Sequence, residues 1–210
     1  MTPQQALEAG VDALGIDRAE TVVAKLLDYA ALLSKWNRTY NLTAIRDPLG
    51  VVTHHLLDSL SAVPHLPLGA GARIADVGSG GGLPGIPLAI ARPQWHVTVN
   101  DSSEKKAAFL RQAAIELALP NLAVHEGRVE NWRPAQCFAL VVSRAFAELG
   151  RFIAACAHLV EDGGWLAAMK GSVSQAEMAG APRECGCRAL RLEVPLLSAE
   201  RHLVLCRRAT

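Results

Sequence analysis

The chain is short of the features that would announce several kinds of protein. It has four Trp, four Phe and two Tyr in 210 residues, too few for the row of exposed rings on which a base-stacking platform depends. No apolar run reaches the roughly 18 residues that a membrane-crossing helix needs, and Met1-Thr2-Pro3-Gln4-Gln5 shows neither the basic start nor the apolar stretch of a secretion signal. A cytoplasmic protein without a membrane partner is expected. Neither sign of charge dominates: 21 Lys and Arg meet 20 Asp and Glu, so net charge singles out no partner. From Arg183 to Thr210, however, six Arg stand against three Glu, an excess that suits phosphates and solvent equally. The five cysteines are odd in number and scattered, and the one close pair, Cys185 and Cys187, is C-x-C. That pattern reads as reduced thiols and no metal site.

What is present organises the chain in two parts. Val22, Val23, Leu26, Leu27, Ala30, Leu33 and Trp36 recur at helical spacing within residues 18–40, and shorter helices are expected at about Gln4 to Leu14 and Leu49 to Ala62. Residues 1–62 therefore read as a helical cap. Pro64, Pro67, Gly69 and Gly71 link it to residues 63–210. There, short apolar runs alternate with helical segments, which specifies a mostly parallel sheet with right-handed crossovers and helices on both faces. The last two runs, Ala189 to Val194 and His202 to Cys206, have no full helix between them and should pair antiparallel.

The richest segment is Ala75-Asp76-Val77-Gly78-Ser79-Gly80-Gly81-Gly82-Leu83-Pro84-Gly85, an apolar strand joined to a helix by a loop nearly without side chains. Such a loop lets a ligand lie against backbone amides. Gly80 to Gly85 satisfies the dinucleotide pattern G-x-G-x-x-G, but Asp76 ahead of Gly78-Ser79-Gly80 would face the phosphates and better suits a cationic ligand. A second acid, Asp101, lies just past the next strand, where a carboxylate accepts both hydroxyls of a ribose. D-x-G-x-G after a strand resembles the first motif of S-adenosylmethionine-dependent methyltransferases. From these residues alone the methyl acceptor stays open: RNA, a small molecule or a protein. A nicotinamide-dependent dehydrogenase is the competing reading.

Further stretches then fall in one order: Trp36-Asn37-Arg38-Thr39-Tyr40-Asn41-Leu42-Thr43, His54-His55-Leu56-Leu57-Asp58-Ser59, Leu83-Pro84-Gly85, Asp101-Ser102 with Lys105-Lys106, Ser143-Arg144-Ala145-Phe146-Ala147, Lys170-Gly171 and Arg201-His202. Over essentially its whole length the chain resembles the ribosomal RNA small subunit methyltransferase G family, also called RsmG or GidB. The resemblance implies a seven-stranded class I (Rossmann-like) methyltransferase fold, S-adenosyl-L-methionine as cofactor, and methylation of N7 of one guanine in 16S rRNA. It also implies that Gly78 and Leu83 contact the cofactor, that Val129 and Glu130 border its adenine, and that Arg144 reaches into the same pocket. With Asp76, Ser79, Gly80, Gly82 and Asp101 these complete the expected cofactor site.

Guanine N7 carries a lone pair and no proton, so no general base is needed. Arg144, Lys170, Arg201, Asn37 and Asn41 are the candidates for positioning the substrate, with Arg38, Lys105 and Lys106 as further cations. Asn37 and Asn41, one helical turn apart, share a face and suit either a cap or the substrate. Trp36 and one of His54 and His55 read first as packed residues. Asn100 stands where an apolar strand residue is expected. The partner would be 16S rRNA or the small ribosomal subunit, met by a monomer.

Overall fold

A computed structural model describes residues 1–17, 20–144, 146 and 148–208. The cap begins with α1 (Pro3–Ala13), whose first turn is closed by a capping box between Thr2 and Gln5, and continues with the long α2 (Glu20–Tyr40). The expected third helix is not uniform. It starts as α3 (Pro48–Val51), capped by the Asp47 side chain, widens into a π-helical stretch over Val52–Leu57, and closes as α4 (Asp58–Leu60). A π-turn rotates the residues beyond it relative to an α-helix, and such turns concentrate at functional sites. This one carries His54 and His55 and delivers Asp58. No helix among the described residues is long and apolar enough to cross a membrane.

Then β1 (Arg73–Val77), α5 (Gly85–Ala91), β2 (His96–Asp101), α6 (Glu104–Glu116), β3 (Leu122–Glu126), β4 (Phe138–Ser143), α7 (Leu149–Cys156), β5 (Val160–Lys170), α8 (Gln175–Ala179), β6 (Arg188–Arg191) and β7 (His202–Arg207) follow. They form one seven-stranded sheet of order β3-β2-β1-β4-β5-β7-β6. The strands β1 to β5 are parallel, while β7 runs antiparallel to both β5 and β6. Strand order reverses between β1 and β4, the place where an open α/β sheet leaves a crevice beyond its strand ends.

The cap does not float on this sheet. Leu26, Tyr29 and Leu33 of α2 are buried in the same apolar cluster as Ile86, Phe109 and Leu110 of the sheet's helices. The Tyr29 hydroxyl donates to the Gly81 carbonyl oxygen at 2.6 Å, and burial pushes its pKa upward. A Cβ on Gly81 would sit 2.9 Å from Leu33. Thus α2 presses directly on the glycine loop, a close approach that only a residue without a side chain permits. Trp36 packs against this core, stacked on Tyr40 and tilted against Phe109.

One expectation is corrected. Cys187 and Cys206 are joined in a disulfide, their Cα atoms 4.0 Å apart, while Cys137, Cys156 and Cys185 are free. The pairing arises because Arg188 faces Leu205 in the β6–β7 register, which sets Cys187 opposite Cys206. A register between strands is invisible in the spacing of cysteines.

Candidate active site

Two clefts open side by side at the carboxyl ends of the strands. The first lies over β1, β2 and β3, encloses about 380 Å³, and is lined by Val77, Gly78, Asn100, Asp101, Ser102, Lys106, Gly127 to Glu130 and Phe146. Its floor is the glycine loop. Gly78, Gly80 and Gly82 all have positive φ, and a Cβ on Gly80 would meet no protein atom within 4 Å. Gly82 and Gly85 are different: their missing side chains make room for Ile86, Val99 and Asp76.

Asp101 is buried at 6 % exposure and ties the cleft together. One carboxylate oxygen accepts from the Gly80 amide at 3.0 Å, the other from the Ser103 amide at 2.9 Å, and Lys106 stands 3.6 Å away. The turn after β3 accounts for Asn100. The Asn100 side-chain amide donates to the carbonyl oxygens of His125 and Gly127 at 3.2 and 2.8 Å, and so fixes the turn that leads to Val129 and Glu130. A polar residue suits this position because the His125 carbonyl at the outer edge of β3 and the Gly127 carbonyl just beyond it both take a donor from it.

Asp76 does not line the cleft. It is fully buried beneath the loop, with one carboxylate oxygen accepting from the Gly85 amide at 2.8 Å. The other oxygen has no hydrogen-bond partner among the described residues. Burial pushes its pKa up to about 7, against the opposing pull of the Gly85 amide, Ser79 and Arg144. Ser79, Gly82 and Leu83 are likewise buried parts of the loop and its helix start, shaping the floor from below. The residues on the surface of this cleft fit an adenosine-containing group: an acid for vicinal hydroxyls, a floor open at Gly80, and a half-open wall at Val129 and Glu130.

The second cleft, of about 360 Å³, lies over β4, β5 and β7 and is closed by the cap. Ile45, His54, His55, Asp58, Arg144, Met169, Lys170, Gly171, Leu192, Arg201 and His202 line it. Asp58, 3 % exposed, is its hub. One oxygen pairs with Arg144 Nη1 at 2.9 Å and the other with Arg201 Nε at 3.0 Å. Arg144 also donates to the His54 carbonyl at 3.2 Å, which the π-turn exposes. Lys170 donates to the Phe146 carbonyl and pairs with Glu177. Burial and then the nearby Arg144 guanidinium lower the His55 pKa to about 4, so its ring is neutral, and it sits 2.6 Å from the Thr43 hydroxyl.

Arg144, Lys170 and Arg201 line this cleft together, and Arg144, held by Asp58, does not line the first one. Asn37 and Asn41 stay outside. Asn37 is buried and accepts from the Thr43 amide at 2.9 Å, while exposed Asn41 accepts from Arg46, so both organise the end of α2. Arg38 and Lys105 are exposed. Sequence reasoning missed Asp58 and Tyr29 as site builders. Asp58 had a signal, an acid in an apolar helical segment, but its two partners lie 86 and 143 residues away.

Residues 22–204 match the family described as rRNA small subunit methyltransferase G. The chain is 50% identical over 207 residues to the Ribosomal RNA small subunit methyltransferase G of Neisseria gonorrhoeae, covering 98% of each chain. It is 52% identical over 202 residues to the protein of the same name from Methylobacillus flagellatus, covering 96% of each. Among solved structures, the fold is shared by the methyltransferase partner of the Haloferax volcanii activator Trm112 (TM-score 0.63, 13% identity, 85% of this chain and 98% of that one). A protein of Agrobacterium tumefaciens described as an O-methyltransferase shares it too (TM-score 0.57, 24% identity, 74% and 82%). A glycine floor under one cleft, a ring of cations in the next and near-complete alignment with these relatives lead to one conclusion: the chain belongs to the rRNA small subunit methyltransferase G family.

Proposed function

We propose that this protein transfers a methyl group from S-adenosyl-L-methionine to N7 of a guanine in the 16S rRNA of the small ribosomal subunit, acting in the cytoplasm as a monomer. The observation that carries the reading is the junction of the two clefts. The end of β4 serves both, Phe146 facing the first and Arg144 the second, so a donor in one and an acceptor in the other would meet across a single strand end.

The cofactor, when bound, supplies an electrophilic methyl carbon on a sulfonium. The protein's part is orientation. Asp101 is placed to accept from ribose hydroxyls, Gly78 and Gly80 admit the ligand close to the backbone, and Val129 with Glu130 border the adenine. On the acceptor side Arg144, Arg201 and Lys170 hold the RNA. Guanine N7 faces the deep, narrow groove of an A-form helix, so the base must be unpaired or turned out to enter the second cleft. The nitrogen attacks with its own lone pair and loses no proton, so the rate derives from approach distance and from surroundings that tolerate positive charge on the base.

The test is incubation with radiolabelled S-adenosylmethionine and 16S rRNA or small subunits from a strain lacking the modification, followed by nucleoside analysis. Label in 7-methylguanosine is the expected result. Cofactor binding without label in RNA would move the acceptor to a small molecule or protein.

A further inference from the structure

The second cleft is one-sided in its hydrogen-bonding chemistry. Its lining contributes one carboxylate, Asp58, and both oxygens of that group already accept from guanidinium groups. The carbonyl oxygens of His54 and Gly171 are engaged as well, by Arg144 at 3.2 Å and by His202 Nδ1 at 3.1 Å. His202 turns its other ring nitrogen toward Glu200, 3.6 Å away. The groups that the cleft presents to a ligand are therefore dominated by donors, carried on Arg144 and Arg201, with Lys170 already committed to Phe146 and Glu177. Both arginines are held in place from opposite sides of one nearly buried acid.

The arrangement also controls charge. Three cations and two carboxylates, Asp58 and Glu177, form these pairs, leaving one net positive charge among the five groups. The neutral ring of His55 adds none. Donors whose charge is mostly compensated can grip an oxygen atom without opposing the positive charge that a methylated purine acquires.

Guanine and adenine differ on the edge that bears N7. Guanine places an acceptor, O6, beside N7, whereas adenine places an amino donor there. We propose that the second cleft selects guanine by donating to O6, with Arg144 as the specificity-determining residue, and that it ignores the 2-amino group. This rests on the guanine-N7 reading above. Arg144 is singled out because it lies just past β4, the strand shared with the cofactor cleft, and O6 is the neighbour of the atom that must face the methyl group. An acid reading the N1–H and N2 amine would be the usual alternative for guanine, but both Asp58 oxygens already accept from guanidinium groups and the residue is only 3 % exposed.

The experiment uses the full-length protein, labelled S-adenosylmethionine and 16S rRNA ligated around a synthetic segment bearing guanine, hypoxanthine or 2,6-diaminopurine at the target position. Hypoxanthine keeps O6 and N1–H and lacks the 2-amino group; diaminopurine keeps the 2-amino group, replaces O6 by an amine and carries no proton on N1, so the ratio in Arg144→Gln is what assigns the loss to O6. Single-turnover rates are expected to fall less than about fivefold for hypoxanthine and by about 100-fold or more for diaminopurine, since a site built around donors leaves them unpaired and crowded against an amine. Comparable methylation of diaminopurine would overturn the proposal, because an acceptor such as the His54 ring would then be facing that position. A loss with hypoxanthine as large as with diaminopurine would overturn it too, by assigning recognition to the 2-amino edge. Absence of label in the guanine RNA would instead remove the reading on which the proposal rests. In Arg144→Gln, whose amide presents either a donor or an acceptor, the guanine-to-diaminopurine ratio is expected to narrow to less than about tenfold. A lower rate at an unchanged ratio would show that Arg144 only supports the cleft and would overturn its assignment.

Discussion

The cleft over β1 to β3 is made of backbone, and the cleft over β4 to β7 is made of side chains. In the first, Val77 and Gly78 form the floor over the largely buried remainder of the glycine loop, and Asp101 closes the side, joined to the loop through the Gly80 amide. In the second, Asp58 from the cap, Arg144 just past β4 and Arg201 just before β7 are held by ion pairs spanning 86 and 143 residues. A backbone site tolerates no added side chain, whereas a side-chain site depends on each partner staying charged and paired. Substitutions should separate the two, each cleft failing alone.

The largest effect is expected from Gly80→Val. With φ at +57° and no protein atom within 4 Å of the position a Cβ would take, a branched residue is strained and projects into the space a ligand needs. Calorimetry should show cofactor affinity reduced by roughly 100-fold or more, with the sheet still folded. Unaltered affinity would remove the loop from the site.

Asp58→Ala should break the other cleft. Both guanidinium groups lose their shared partner; because they are about a quarter exposed, water softens the penalty. Turnover on RNA is expected to drop by about 30-fold while the cofactor dissociation constant moves less than about threefold. Equal losses in both quantities would mean that the clefts are not separable.

That division also explains how much of the molecule is legible in the chain. The parallel sheet, its antiparallel end, the cap and the first cleft can be read because their signals are local: alternation of apolar runs, a glycine loop after a strand, an acid after the next. The π-turn cannot, since Val52 to Leu57 carries an ordinary helical pattern. Asp58 does not stand out because a hub is defined by its partners, and only the fold brings them together. Asp76 is legible as important, but its place in the sequence suggests the cleft surface when it is the buried strut beneath the loop. The Cys187–Cys206 bond depends on a strand register. Arg144, Lys170 and Arg201 are identified through family resemblance and not through spacing.

A smaller effect should come from Asn100→Ala. Removing the amide frees the carbonyls of His125 and Gly127, loosening the turn that carries Val129 and Glu130. Cofactor affinity is expected to fall about fivefold, and RNA affinity should not change. A response in RNA binding equal to that in cofactor binding would contradict the assignment of this turn to the first cleft.

The smallest effects are in pH dependence, and there the two regions have opposite signs. Asp76, beneath the first cleft, has its pKa raised by burial to about 7. Between its unfolded value near 4 and 7 the folded state holds a proton that the unfolded state has lost, so this group's contribution to stability falls as pH rises through that window. His55, beside the second cleft, has its pKa lowered by burial and Arg144 to about 4. Between 4 and its unfolded value near 6.5 the unfolded state holds the extra proton, so its contribution rises with pH. Between pH 4 and 6.5 the two contributions oppose each other. Asp76→Asn should steepen the rise of melting temperature with pH and leave the variant relatively more stable at pH 8 than at pH 4. His55→Asn, though less stable throughout through loss of its contact with Thr43, should turn the same curve downward. Thermal melts from pH 4 to 8 measure both, and parallel curves for the two variants would show that these groups do not titrate as their surroundings require.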